Sequence, residues 1–130
     1  MKKPSVSIRV NDSESFPAFV DTGSDYTIVP RNVVKGGITN TDPLEEIGFM
    51  GKRRMVQKRK LRITVGDRFE EIIEARVFVD PRDEIAVVGT DFLQKRDCKV
   101  SLQKGNHHIQ CKGGAGKRAG KVIMMSMSEK

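Results

Sequence analysis

The sequence contains no tryptophan, one tyrosine and six phenylalanines, so aromatic side chains make up only 5% of its 130 residues. Stacking platforms for single-stranded nucleic acid are therefore scarce. Cysteine is rare as well, with Cys98 and Cys111 the only two. Two cysteines are too few for a disulfide framework and these lack the CxxC spacing of a zinc site, so they are read as structural thiols. No stretch approaches the ~20 apolar residues of a membrane-spanning helix, and the opening MKKPSVSIRV lacks the apolar centre of a secretory signal. The expectation is a soluble, non-secreted protein with no membrane partner. No internal repeat is apparent, and the length suits one domain with one site.

What the sequence has in excess is positive charge, +7 in net terms with a pI near 9.6. That charge is not spread over the chain. Seven of the 24 basic residues lie between Lys52 and Arg62, a stretch without an acid, and five more follow Cys111. The plain reading of the first cluster is a solvated hairpin face; the functional ones are a preference for acidic substrates or a weak contact with RNA through Lys52 to Arg62 and the tail.

Short alternating apolar runs recur at residues 6–10, 16–20, 27–29, 61–65, 72–79 and 85–88, separated by turn-forming NDS, GD and DPRD. This is an all-β pattern. One segment, residues 90–95, reads as a short helix capped by its Thr-Asp start. Residues 98–102 and 107–111 flank a turn at Lys104-Gly105 and read as a hairpin whose register sets Cys98 opposite Cys111, which keeps pairing of the two thiols open. His107 and His108 alternate faces there and receive no catalytic role. From Lys112 to Lys130, Gly, Lys and Arg dominate, and the expectation is a flexible basic tail after a domain of residues 1–111.

The feature that carries chemistry is Phe19-Val20-Asp21-Thr22-Gly23-Ser24-Asp25-Tyr26-Thr27-Ile28-Val29, a carboxylate in a turn of small residues between two apolar strands. A charge in that setting is costly unless it is hydrogen-bonded or paired. A second feature, Ile85-Ala86-Val87-Val88-Gly89-Thr90-Asp91-Phe92-Leu93, is a buried-strand run that ends in Gly and enters the helix.

Together, in this order and separation, the two segments resemble the DTG active-site turn and the following strand and helix of retropepsins, the retroviral and gypsy-type retrotransposon aspartic proteases. "GTDFLQK" is close to the GxDFL wording of the gypsy-type members. The resemblance spans about residues 5 to 111. It implies a closed β-barrel of the acid protease type with one short C-terminal helix, assembled as a C2 homodimer, in the cytoplasm or within a virus-like particle. Asp21 would be the catalytic carboxylate, in a turn formed with Thr22, Gly23 and Ser24. Asp25, Ile28 and Val87 would line the substrate cleft. Gly48, Phe49 and Met50, in the Gly-bounded segment of residues 46–51, would form the flap above it.

One chain supplies one DTG, and aspartic-protease chemistry needs two carboxylates sharing a proton. A second copy is thus the implied partner, and the substrate an extended peptide or polyprotein with hydrophobic residues at the cut. No metal or cofactor is implied. The Ser24 hydroxyl is expected to donate to the Asp21 carboxylate, and residues 122–125 offer an apolar stretch for self-processing. The residue after Gly89 is Thr90, where many viral relatives carry an arginine that braces the position of Asp25. The competing reading is a catalytically weak dimeric binding module, similar to ubiquitin-shuttle proteins with a retropepsin-like domain.

Overall fold

The structure is a computed structural model and describes residues 2–128. Strands dominate, with one short α-helix, in agreement with the alternating pattern of the sequence. Strand β1 (Lys2–Val10) turns at Asn11 into β2 (Phe16–Val20). Its alternate residues Val6, Ile8 and Val10 bury one face, as period-2 patterning requires. Strand β3 (Ile28–Val29) follows the Asp21 turn, and a hairpin of β4 (Leu44–Phe49) and β5 (Lys52–Val65) comes next. Strand β6 (Phe69–Phe78), β7 (Val87–Val88) and helix α1 (Thr90–Lys95) complete this part of the chain.

The hydrogen-bonded order is β1-β2-β7-β3-β6-β5-β4, and β1 pairs a second time, through residues 8–10, with β5. The path β1-β2-β7-β3-β6-β5 therefore returns to its start. Inside it lie Ile8, Val10, Ile63, Val65, Phe69 and Phe92, each no more than 1% exposed. Burying side chains of this kind stabilises the fold by roughly 1.5–3 kcal/mol apiece.

Strand β5 is much longer than its apolar run at residues 61–65, because the basic stretch from Lys52 to Arg62 forms most of it. Alternation is hidden there by charge. Arg53 pairs with Glu46, Arg54 with Asp83, and Arg62 with Asp12 and Glu70, while Lys58 lies 3.9 Å from Glu45 and Arg59 donates to the Gly37 carbonyl.

The C-terminal hairpin, β8 (Cys98–Gln103) and β9 (Asn106–Cys111), has the register read from the sequence, with Cys98 opposite Cys111. The two cysteines are joined as a disulfide, which corrects their reading as structural thiols. The expectation of a flexible tail from Lys112 is also overturned. Residues of the tail form β10 (Gly120–Ile123), which pairs with β9, and β11 (Met125–Ser128), which pairs with β1. Composition alone missed the anchors. Arg96, 4% exposed, donates to the carbonyls of Lys112 and Arg118, Lys117 pairs with the buried Glu71, and Met124 is itself buried. Residues 129 and 130 lie outside the described residues. No helix among the described residues is long and apolar enough to cross a membrane.

Candidate active site

Strand β2 lies parallel to β7, with Phe19 and Val20 beside Val87 and Val88. The Asp21 amide continues this pairing by donating to the Val88 carbonyl at 3.1 Å, so Asp21 leaves the sheet at a fixed point. The chain then turns at once. The Ser24 amide donates to the Asp21 carbonyl at 3.1 Å, and the Gly23 amide donates to Asp21 Oδ1 at 2.8 Å. A backbone N–H thus satisfies one carboxylate oxygen.

The turn is pinned from behind by a buried threonine. Thr27 Oγ1 donates to Asp91 Oδ1 at 2.7 Å and accepts from the Gly89 amide at 3.1 Å, while the Thr27 amide donates to Asp91 Oδ2 at 2.9 Å. Asp91 also accepts from the Phe92 amide at 2.7 Å. The acid expected to cap α1 therefore joins the helix to the turn, and Gly89 occupies the N-cap without a side-chain bond. Gly89 is required for space: a Cβ there would come within 2.5 Å of the Tyr26 carbonyl oxygen and 2.7 Å of that of Ser24. The apolar-apolar-Gly wording in the sequence reflects this close approach.

The β4–β5 hairpin crosses above the turn. Its two central residues, Met50 and Gly51, both have positive φ, 51° and 75°, the geometry of a tight I′ hairpin turn. The sequence bounds this segment with Gly48 and Gly51; the structure puts Gly51 at the tip, beside Met50 with its positive φ. Between turn and hairpin is a cleft of about 210 Å³. Phe19, Asp21, Gly23, Ser24 and Val87 line one side, Gly48, Phe49 and Met50 the other, with Lys3 at its edge.

Seven of the residues singled out from the sequence are brought together in this cleft, and three are not. Thr22 and Asp25 are exposed beside it. Ile28 is 2% exposed and packs beneath it with Val56 and Phe78, against Ile47 and Phe49. Sequence reasoning missed Phe19 and Lys3. Phe19 was legible, since alternation puts it on the same face as Asp21. Lys3 was not, since it is the antiparallel register of β1 on β2, with Ser5 opposite Phe19, that carries it to the Asp21 end of β2. Ser24 also differs from expectation: its hydroxyl donates to the Tyr26 carbonyl at 2.8 Å, two residues on, as short polar side chains in turns often do. Residues 122–125, suggested as a cleavage segment, belong to β10, β11 and the buried Met124 between them.

A more open groove of about 600 Å³ lies between Tyr26, Arg76 and Lys95. The carboxylate in it that belongs to the turn region, Asp91, is already bound by Thr27, and Arg76 is held over the Tyr26 ring at 3.9 Å. The smaller cleft is the one in which the Asp21 carboxylate faces the apolar side chains of Phe49 and Met50.

A search of curated proteins returns no match. The sequence profile of the retroviral aspartyl protease family matches residues 1–102, a span that contains the Asp21 turn, the overlying hairpin, the Gly89 strand end and α1. The chain belongs to the retroviral aspartyl protease family.

Proposed function

We propose that the chain is an aspartic endopeptidase, active as a C2 homodimer, that cuts extended peptides between hydrophobic residues in the processing of a polyprotein. The observation that carries this reading is the position of Asp21: one carboxylate at the base of a small cleft, with Phe49 and Met50 across from it. The sequence has a single Asp-Thr-Gly triplet, so a pair of carboxylates requires two chains. The returning strand path supports the closed barrel of the acid proteases.

In the dimer the two Asp21 side chains share one proton, because like charges at that distance do not both ionise cheaply. The ionised member takes a proton from a water molecule held between them, and the protonated member hydrogen-bonds the scissile carbonyl. Water oxygen bonds to the carbonyl carbon, the tetrahedral intermediate collapses, and the C–N bond breaks as the nitrogen takes up a proton. Phe49, Met50, Phe19 and Val87 supply the apolar surface for side chains flanking the cut, and Asp25, exposed beside the turn, is assigned to the backbone of the bound peptide.

Most cations of β5 already have carboxylate or carbonyl partners, which supports the reading of that cluster as a solvated hairpin face over an RNA-binding one. The test is cleavage of a peptide library between pH 4 and 7. The wild-type chain cleaves it in a pepstatin-sensitive manner, and Asp21→Asn lowers kcat by on the order of 10⁴-fold or more. A wild type that dimerises and cleaves nothing would be a binding module instead.

A further inference from the structure

Near its tip the flap hairpin is held to the rest of the molecule by the Met55 carbonyl, which accepts from the Val79 amide at 3.0 Å, by the packing of Phe49 on Phe78, and by one ion pair. Arg54, on the β5 arm, forms an ion pair with Asp83, which sits in the loop between β6 and β7. Both side chains are largely withdrawn from water, 17% and 15% exposed, so salt screens this pair less than the surface pairs of the same strand. The Arg54 guanidinium also lies 5.8 Å from the ring centroid of Phe49 and 5.9 Å from that of Phe78, within reach of a cation–π contact, and the two rings are 5.7 Å apart. Phe49 lines the cleft over Asp21. The loop end is firm too: Asp80 accepts from the Arg82 amide and side chain, and the Asp83 amide donates to the Asp80 carbonyl. Four residues after Asp83 the same loop reaches Val87, which lines the opposite wall of the cleft.

We propose that Arg54 and Asp83 are positioning residues that latch the flap to the cleft wall and so set the height of Phe49 and Met50 over Asp21. The proposal rests on the peptidase reading for its effect on peptide capture, though not for its effect on the flap. The ion pair joins roof to wall, and the guanidinium presses Phe49 against Phe78. Breaking it releases the hairpin tip while leaving its β4–β5 ladder and the Asp21 turn intact.

The experiment uses the full chain with Arg54→Met, which removes the charge and keeps a long unbranched side chain, Asp83→Asn, and the double variant. Amide hydrogen exchange is followed at residues 48–52 beside core residues 63 and 65. Both single variants should raise exchange of the flap amides by on the order of tenfold, leave the core amides unchanged, and show no further increase when combined. In peptide cleavage KM should rise about five- to tenfold with kcat little changed. Flap exchange at the wild-type rate in both single variants overturns the latch, as does acceleration spread equally over flap and core, which would mean a general loss of stability. If the wild-type chain cleaves no peptide, the peptidase reading fails, and the exchange result decides the latch by itself.

Discussion

Thr27 has no exposure to solvent, and its polar atoms reach three places: Asp91 in α1, the Gly89 amide just after β7 and, through its carbonyl, the Arg76 amide of β6. Thr27→Val keeps the shape and removes the hydroxyl, leaving the Gly89 amide and one Asp91 oxygen without that partner. Stability should fall by about 1–3 kcal/mol, seen as a lower urea midpoint with an unchanged m value. An unaltered midpoint would show that the network does not hold the turn. Asp80 offers a second check at this scale. The Arg82 side chain and then its amide hydrogen-bond the carboxyl and hold it down at about 2, from an ordinary 3.8. Because folding lowers this pKa, the pair's contribution is complete above the ordinary value and is lost as pH falls toward 2. An NMR titration should place the Asp80 midpoint near the lower figure, and Arg82→Met should return it toward the higher one. What the sequence revealed at this scale was residue type and turn chemistry. It did not reveal the direction of the Ser24 hydroxyl or the joining of Cys98 to Cys111, since each depends on local geometry that several conformations could satisfy.

Elements with a strong local signature were legible. Alternation located β1, β2, β6 and the β8–β9 hairpin, and the Gly89 boundary located α1 over the same residues, 90–95, that the structure assigns to it. The tip of the β4–β5 hairpin coincides with the Gly-bounded segment of residues 46–51. Strand β5 up to Arg62 was obscured because seven cations interrupt the apolar count, although acids on neighbouring strands and loops pair with four of them. Strands β10 and β11 were missed for a different reason. Their order is imposed from a distance, by Arg96 reaching the Lys112 and Arg118 carbonyls, by Glu71 receiving Lys117, and by β1 accepting β11 along its edge. Low apolar content forbids a segment from ordering itself, and it does not forbid ordering by a neighbour that is already folded.

One chain sets one carboxylate, Asp21, in the cleft beneath the β4–β5 hairpin. The family assignment carries the expectation of aspartic peptidase chemistry, and the geometry of a single chain leaves Asp21 without the second carboxylate that such chemistry needs. Dimerisation and activity should therefore be inseparable. The most direct measurement is a subunit-mixing assay, in which a fixed amount of wild-type chain is equilibrated with increasing Asp21→Asn chain before peptide is added. If both carboxylates are needed, an equal amount of the variant should reduce activity to about half, as wild-type subunits are drawn into mixed dimers with one acid, and a larger excess should reduce it further. Activity that stays constant as the variant is added would show that a single chain cleaves by itself, and the paired-Asp21 mechanism would be wrong.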